Sequence, residues 1–421
     1  MASPLNGDYS LRRVVITGMG VIAANGKELG GFWETVRRGQ PFAGPLTRFD
    51  PGDMPNRVAA EIKDFDPSHY MTRKHAHRLD LSTQYGIAAA TMAVKDANLK
   101  MDTIDVDRVG VVEGISLGGT ETSLRGQVSL MNKSYRQINA YSLINGYTGA
   151  GSGEIALETG IKGHAVTLCS SSASSNDALG YAFNLIQQDD VDVMLAGGDE
   201  APLLPALWAV FCLTKVMTCH NDDPARAMRP FDKTRDGFLL GEGAAYLVLE
   251  ELSHALSRGA RIYAEIGGQG RSCEAYHSVA PHPEGLGMVR AMEKALRRAR
   301  VHPGQIDYIN AHGTATGPND VVETTAIKKL FRDHARRLAV SSTKPITGHL
   351  MGAAGAMETV ITALTIYHQE IPPTINLTEA DAECDLDYVP GESRPYPVRA
   401  AMNLNSGFGG KNSCLILKRY P

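Results

Sequence analysis

One stretch of the chain combines residue types that could supply a nucleophile. In HAVTLCSSSASSNDALG, residues 164–180, an apolar strand pattern runs through a serine-rich bend into a predicted helix that begins at Ser174. The N-terminus of such a helix stabilises a thiolate, an alkoxide or an oxyanion. Cys169 is the only thiol in the stretch, but a cysteine directly after an apolar strand is often buried and inert. Serine runs also cap helices, so the local sequence leaves capping and catalysis both open.

Two histidine motifs further along the chain could supply acid–base groups. His312 lies in NAHGTATGPND, where a strand pattern ends in a loop, and His349 follows Lys344 by five residues in SSTKPITGHLMGAAGA. Two imidazoles can donate hydrogen bonds to an enolate or an oxyanion, or one of them can act as a base. A metal site is not favoured, because the histidines are 37 residues apart and no third ligand stands at helical spacing.

The elements that must position these residues alternate between strands and helices. Short apolar, β-branched runs with helix-length segments between several of them predict a largely parallel sheet that is covered by helices. The predicted strands are 14–17, 109–112, 165–168, 191–196, 245–249, 262–266, 306–310, 338–341, 400–405 and 414–417. The order of these elements indicates two halves that divide near residues 252–261.

The composition narrows the class of protein. A chain of 421 residues with 43% hydrophobic and 21% charged residues can bury a large core. Its formal net charge of -4 gives no global attraction to nucleic acid or to an anionic membrane, so neither partner is expected. The N-terminal segment lacks the apolar region of a secretory signal, which predicts a cytoplasmic location. The six cysteines form no CxxC pair, so we expect mostly buried, reduced thiols rather than disulfides or zinc ligands.

Nearly the whole chain resembles the elongating β-ketoacyl-acyl-carrier-protein synthases. The motifs that carry this resemblance are NAHGT with a following ND, SSTKxxxGHxxGAAGAxE, RPFDKTRDGFLLGEGA, PPTINL and the C-terminal GFGG. Several shorter stretches, such as GARIYAEI, AECDLDYVP and NSGFGG, are similar to the ketosynthase α subunits of aromatic type II polyketide systems. The resemblance implies a thiolase-like duplicated α/β fold, layered αβαβα with two mixed sheets, with halves at 1–257 and 258–421.

The spacing of the family motifs identifies the nucleophile position as Ser172. Family members carry a cysteine eight residues before a helix glycine and twenty before the aspartate of DVMxAGG, which leads here from Gly180 and Asp192 to Ser172. The family spacings of 140 and 177 residues to the two histidines also start at Ser172. Counted from Cys169, every spacing is off by three. The serine is either an engineered replacement of similar size or a natural residue.

The resemblance implies a decarboxylative condensation. An acyl group arrives as a thioester on the phosphopantetheine arm of an acyl carrier protein and moves to residue 172, with no other cofactor and no metal. His312 and His349 polarise the malonyl thioester and assist its decarboxylation, after which the carbanion attacks the bound acyl group. The backbone N–H groups of Ser172 and Phe408 form the oxyanion hole, and Phe408 also gates the acyl pocket.

Supporting roles follow from the same resemblance. The resemblance implies that Lys344 is a buried lysine of the catalytic site. An unpaired ammonium inside a core is costly, so Lys344 is expected to have carboxylate partners. The expected partners are Asp320, Glu323 and Glu358. Residues further out are expected to bind the substrate or its carrier: Thr314 and Thr316 the pantetheine arm, Leu117 the acyl chain, and Arg73 and Lys74 the acyl carrier protein.

Three hypotheses follow for the function. The first is a ketosynthase of fatty acid or polyketide synthesis whose serine impairs condensation, present as a homodimer or as a heterodimer with a ketosynthase-like chain-length subunit. The second is a natural serine acyltransferase or malonyl-carrier decarboxylase. The third is a noncatalytic chain-length subunit, against which stands the intact pair of His312 and His349. A coenzyme A thiolase is disfavoured because the GFGG loop carries no cysteine.

Overall fold

Ten strands form the centre of the molecule in the computed structural model, which describes residues 11–24 and 28–421. The strands are β1 (Val14–Ile22), β2 (Val109–Gly114), β3 (Ala165–Leu168), β4 (Val193–Glu200), β5 (Gly243–Glu251), β6 (Ala264–Cys273), β7 (Tyr308–Asn310), β8 (Ala339–Ser341), β9 (Ala400–Gly407) and β10 (Lys411–Lys418). Each of the ten predicted runs is one of these strands. Two pairs of two-residue strands lie outside this sheet, Gly44–Pro45 with Val58–Ala59 and Glu370–Ile371 with Arg394–Pro395.

The strands hydrogen-bond in the order β8-β7-β9-β10-β6-β1-β5-β4-β2-β3. The outer pairs of each half are parallel, but β5 and β10 are antiparallel to both of their neighbours, as is β1 to β6. The prediction of a largely parallel sheet is therefore wrong near the centre. The reason is connectivity, because β10 follows β9 through a tight turn and β5 returns after the long segment 201–242.

The predicted pair of mixed sheets is one continuous sheet with two five-stranded halves. The halves are joined where residues 14–16 of β1 pair with residues 264–266 of β6. From this junction outward, the first half runs β1-β5-β4-β2-β3 and the second β6-β10-β9-β7-β8, so the same chain order of strands occurs twice. This repetition agrees with a duplicated fold, and the boundary at residue 257 stays a prediction.

Helices fill the layers on both sides of the sheet. They are α1 (Leu29–Arg37), α2 (Arg73–Ala76), α3 (Leu81–Asp96), α4 (Thr120–Asn132), α5 (Ser142–Asn145), α6 (Ala150–Thr159), α7 (Ser174–Gln187), α8 (Pro205–Thr214), α9 (Leu252–Ser257), α10 (Leu286–Ala299), α11 (Gly317–Phe331), α12 (Lys344–Thr347) and α13 (Ala354–His368). Helices α7 and α13 contact each other and strands of both halves. Helices α3 and α6 cover the first half, and α10 the second with α11 packed on it. Helices α7 and α13 thus lie between the two halves of the sheet, and α3, α6, α10 and α11 lie outside them, which gives the predicted αβαβα layering.

Close packing explains several glycines at the helix–sheet contacts. A Cβ atom on Gly20 of β1 would lie 2.0 Å from the carbonyl oxygen of Ala89 in α3, and one on Gly18 would lie 2.4 Å from that of Ala93. Glycine at these positions lets the helix backbone approach the strand. Among the described residues, no helix has the length and apolar character needed to cross a membrane.

The cysteines are less buried than predicted. Cys384 and Cys414 are buried, but Cys169, Cys219 and Cys273 are exposed. Cys169 is exposed because it follows β3, the strand at the edge of the sheet, whose residues are only partly covered. The expectation of mostly buried thiols is therefore wrong for these three side chains.

Candidate functional site

In the serine-rich bend between β3 and α7, some hydroxyls stabilise the local structure and another lines a cavity. Ser174 Oγ donates to the carbonyl of Ser171 at 2.6 Å and accepts from the backbone N–H of Ser170 at 2.9 Å. The hydroxyl of Ser170 donates to Asp177 at 2.8 Å. These bonds use Ser170 and Ser174 to stabilise the bend. Ser171 adopts a left-handed φ of 59°, a sharp turn that leaves the Ser172 side chain outside this hydrogen-bond network.

Ser172 contacts a histidine, whereas Cys169 lies elsewhere. Ser172 is 5% exposed, and its Oγ lies 3.1 Å from Nε2 of His349. Cys169 is exposed and lies with its sulfur 3.8 Å from the carbonyl of Ser116. The cavity beside His349 is lined by Ser172 and not by Cys169. Geometry and motif spacing therefore point to the same residue.

The two predicted histidines meet although they lie on different segments. His312 follows β7, and His349 follows α12; their ring centroids are 5.6 Å apart and the rings are nearly perpendicular at 84°. The backbone N–H of His349 donates to Leu239 at 2.7 Å, and its ring stands edge-on to Phe238. Both imidazoles are buried and are held at fixed positions.

Lys344 connects His312 to a buried carboxylate. Its ammonium forms an ion pair with Glu358 and lies 3.4 Å from Nδ1 of His312. The side chain of Asn405 donates to the other oxygen of Glu358 at 2.6 Å. Because the ammonium can only donate, it favours the His312 tautomer that carries its proton on Nε2. His312 is thereby prepared to donate a hydrogen bond.

Of the three carboxylates predicted around Lys344, only Glu358 contacts it. Glu323 instead accepts from the backbone N–H groups of His312 at 2.7 Å and Gly313 at 2.8 Å. Asp320 accepts from the backbone N–H of Phe231 at 2.7 Å and lies 3.9 Å from the guanidinium of Arg235. Glu323 thus orients the His312 loop directly, because α11 places it beneath that loop.

Ser172, His312 and His349 open into one cavity of about 320 Å³. Phe408, 37% exposed, stands in its lining within the turn between β9 and β10. Thr314 and Thr316 also line it, and their hydroxyls lie 2.9 Å apart. Other lining residues are Lys215, Phe238, Glu274, Val279, Met351 and Asn412. The cavity has the size and the mixed apolar and polar lining of a small-molecule site.

Burial controls the charge of the groups in the site. The pKa of His312 is lowered well below its usual value by burial, then by Lys344 and His349, and that of His349 is lowered by burial and by Lys344. Both rings are therefore neutral near pH 7. Burial raises the pKa of Glu323 to about 7 and that of Asp320 to about 6. Neutral imidazoles suit hydrogen-bond donation and proton acceptance.

Three predicted substrate-binding residues lie outside the lining of the cavity. Leu117 is partly buried in the loop after β2, and its backbone N–H donates to Glu200 at 3.0 Å. Arg73 and Lys74 are exposed on α2. Their roles in acyl and carrier binding stay predictions.

Sequence reasoning did not assign Asn405 and Phe238 to the site. Asn405 belongs to the NSGFGG motif, so its position beside a recognised loop was a usable signal. Phe238 belongs to the RPFDKTRDGFLLGEGA motif, so it also had a usable signal, but only the structure shows its ring against His349. In the described part of the chain, no cluster of three or more His, Cys, Asp or Glu residues is arranged to hold a metal ion.

Comparison with known proteins identifies the family. Residues 11–255 match the beta-ketoacyl synthase N-terminal domain, and residues 263–378 match the beta-ketoacyl synthase C-terminal domain. The 3-oxoacyl-[acyl-carrier-protein] synthase 2 of Synechocystis sp. is 42% identical over 409 residues, which cover 97% of this chain and 98% of that protein.

Solved structures agree with this assignment. The ishigamide ketosynthase/chain length factor is 36% identical with a TM-score of 0.91, covering 98% of this chain and 100% of that one. A second neighbour is a type II PKS ketosynthase that was solved in complex with its acyl-carrier protein and bound to the hexaketide. It is 30% identical with a TM-score of 0.90, covering 98% of this chain and 100% of that one. These similarities confirm the predicted thiolase-like fold. The chain belongs to the β-ketoacyl synthase family of condensing acyltransferases.

Proposed function

We propose that this protein is a ketosynthase that decarboxylates a malonyl thioester and joins the product to an acyl chain. The observation that carries the proposal is the meeting of Ser172, His312 and His349 in one buried cavity, with Lys344 behind His312. The same observation argues against a noncatalytic chain-length subunit, because such a subunit has no use for two oriented imidazoles.

The geometry supports a stepwise mechanism. The Nε2–H group of His312, with His349, donates to the thioester carbonyl of the malonyl group. The carbon–carbon bond to the carboxylate then breaks and carbon dioxide leaves. The electron pair of that broken bond forms an enolate. The enolate carbon attacks the acyl carbonyl on residue 172, a carbon–carbon bond forms, and the side-chain oxygen of Ser172 leaves and takes up a proton from water.

Two backbone N–H groups are proposed as the oxyanion hole. The backbone N–H of Ser172 makes no hydrogen bond to any of the described residues. Gly407 brings the turn that holds Phe408 against the bend, since a Cβ on it would lie 3.1 Å from the Ser172 nitrogen. The amide of Phe408 lies in the same turn. Removing one donor of this kind raises a barrier by about 2.7 to 4 kcal/mol.

The serine changes the first step of the reaction. A cysteine thiolate forms near neutral pH, whereas a serine hydroxyl needs a base at the moment of attack. Nε2 of neutral His349, 3.1 Å from the hydroxyl, is placed to take that proton. We therefore propose impaired condensation in this Ser172 form. The Ser172–His349 contact also favours the second candidate, a serine acyltransferase or malonyl-carrier decarboxylase.

An acyl carrier protein is the proposed donor of both substrates. The support is the structural neighbour that was solved with its acyl-carrier protein. Thr314 and Thr316, on the cavity wall, are proposed to bind the phosphopantetheine arm. Arg73 and Lys74 are proposed to bind the carrier surface. A cytoplasmic location and the use of no further cofactor belong to the same proposal.

A dimer is also proposed, through the edge of the first half of the sheet. Strand β3 pairs on one side only, with β2. Large apolar side chains are exposed on the neighbouring segments that contain α4 and α5: Leu124, Val128, Leu130, Met131, Tyr135, Tyr141, Leu143, Ile144 and Tyr147. An exposed apolar surface of this kind is typical of a subunit interface. The partner is a second copy or a chain-length subunit.

Intact mass spectrometry tests the proposal. The chain and its Ser172→Cys variant are incubated with acyl and malonyl carrier proteins, and acylation, decarboxylation and condensation are followed. We expect both forms to decarboxylate and the cysteine form to acylate and condense faster. Loss of acylation in Cys169→Ala together with unchanged acylation in Ser172→Ala would contradict the assignment of the nucleophile.

A further inference from the structure

We infer that Glu200 is a positioning residue that shapes the acyl-binding end of the Ser172 cavity. The inference rests on the proposed ketosynthase function and adds a determinant of acyl-chain selectivity. Glu200 is the last residue of β4 and is 1% exposed. It touches none of the reacting groups, so its effect on the reaction passes through the segments that it binds.

The carboxylate of Glu200 binds two separate segments of backbone. One oxygen accepts from the N–H groups of Ser116 at 2.9 Å and Gly352 at 3.0 Å. The other oxygen accepts from the N–H of Leu117 at 3.0 Å. Ser116 and Leu117 lie in the loop after β2, and Gly352 lies in the turn before α13. One side chain thereby joins two loops that no strand pairing connects.

One of the two loops lines the cavity, and the other packs against that loop. Met351, directly before Gly352, lines the cavity and adopts a left-handed φ of 46°, which is strained for methionine. The loops are in tight contact, because a Cβ on Gly352 would lie 2.5 Å from the Ser116 nitrogen. The hydrogen bond from Gly352 to Glu200 therefore holds Met351 in its strained position. Leu117, the predicted acyl-binding residue, is held by the other oxygen.

Glu200 has no cationic partner among the described residues. Its three hydrogen bonds all come from backbone N–H groups of these two loops. Burial raises its pKa to about 8, against the opposing effect of the three N–H donors. The charged form of a carboxyl group is unfavourable in an apolar interior without a cation, so Glu200 is largely neutral near pH 7. A buried carboxyl group whose hydrogen bonds all go to two loops suits a role in fixing those loops.

Two neighbouring substitutions separate positioning from general destabilisation. In Glu200→Gln, the amide oxygen can still accept from Ser116 and Gly352, but the amide NH2 group faces the N–H of Leu117. Asp199→Asn is the matched control, because Asp199 is equally buried on the same strand but points to the opposite face. There it accepts from the hydroxyl of Tyr246 at 2.9 Å and contacts α3 at Gly86.

The test measures acyl-chain selectivity in the Ser172→Cys background. Each variant is mixed with hexanoyl or dodecanoyl carrier protein and acylation rates are taken from intact mass, while malonyl decarboxylation is measured separately. We expect Glu200→Gln to slow dodecanoyl transfer relative to hexanoyl transfer by about tenfold, the factor for one lost buried hydrogen bond, with decarboxylation unchanged. Asp199→Asn should leave the ratio of the two rates unchanged.

The outcomes distinguish the inference from the function on which it rests. Equal effects of Glu200→Gln on both chain lengths, or an effect equal to that of Asp199→Asn, would overturn the inference. If the Ser172→Cys chain neither acylates nor decarboxylates, the proposed function fails first. Should Glu200→Gln not fold, Glu200→Asp replaces it, because its shorter side chain cannot reach both loops. An unchanged chain-length ratio in Glu200→Asp would also overturn the inference.

Discussion

Lys344 and Glu358 form the buried ion pair on which the proposed acid–base chemistry depends. The pair is nearly inaccessible, at 1% and 2% exposure of the two side chains, and the ammonium also meets Nδ1 of His312. Breaking such a pair by removing one partner is strongly destabilising, because the other charge is left buried. A single substitution at either residue would therefore change both the stability and the activity of the protein.

A double substitution separates the two effects. Lys344→Met alone should destabilise the protein by about 3 to 5 kcal/mol, and adding Glu358→Gln should recover most of that loss. Malonyl decarboxylation should stay at least about 100-fold below the starting rate in the double variant, because His312 lacks the donor at Nδ1. Urea unfolding and decarboxylation assays provide the measurements. A stable and active double variant would contradict the role given to Lys344.

At the scale of elements, the turn between β9 and β10 and the bend before α7 form one unit. A Cβ on Gly407 would lie 2.8 Å from the carbonyl oxygen of Ser170 and 2.9 Å from Cβ of Ser171. The glycine thus permits a close approach that brings Phe408 and the Ser172 amide to the same cavity. Neither segment can form the proposed oxyanion hole alone.

Gly407→Ala tests this contact between elements. In the Ser172→Cys background we expect acylation to fall by about tenfold or more, because the methyl group displaces the bend and misaligns the oxyanion donors. Gly30→Ala in α1 is the control, since a Cβ there meets nothing within 4 Å. Its acylation rate should match that of the parent. An unaltered rate in Gly407→Ala would argue against the proposed hole.

At the scale of the whole molecule, buried carboxyl groups make stability depend on pH. Burial raises the pKa of Glu113 to about 7 and that of Glu200 to about 8. Glu113 also lies beside Asp199, whose pKa burial and the Glu113 charge raise. Groups with a raised folded pKa stabilise the fold fully below their unfolded pKa of about 4.3, and this stabilisation is lost as the pH rises through the folded pKa.

We therefore expect stability to decrease as the pH rises from acid to neutral. The free energy of unfolding, measured with urea, should fall by roughly 1 to 3 kcal/mol between about pH 5 and about pH 8 and then level off. Glu113→Gln should remove part of this decrease. Asp192 offers the opposite case, since Arg108 and Arg12 lower its pKa to about 2, and Asp192→Asn should leave this slope unchanged. A flat profile for the parent chain would refute the expectation.

The proposed dimer is also tested at this scale. Leu143, 88% exposed on α5, belongs to the apolar surface beside β3, whereas Leu213, 81% exposed on α8, lies elsewhere. Leu143→Asp should shift the sedimentation profile toward monomer, because a buried charge in an interface is unfavourable. Leu213→Asp should sediment like the parent. Equal profiles for both variants would place the interface at another surface.

The sequence by itself determined the ten strands and helix α7, and the family resemblance predicted the reacting side chains. These follow from hydrophobic periodicity, helix caps and motif spacing, which are local or can be counted along the chain. Counting against the spacings of the family that the chain resembles moved the predicted nucleophile position from Cys169 to Ser172. It also identified His312 and His349 as a pair before any distance between them was known.

Only the tertiary structure decided how distant segments meet. It showed that the two predicted sheets are joined through β1 and β6. It also showed that Lys344 forms its ion pair with Glu358, whereas Glu323 accepts hydrogen bonds from the His312 loop. It also placed Glu200 between two loops. Such contacts depend on strand order and side-chain packing between residues far apart in sequence, and no local pattern encodes them.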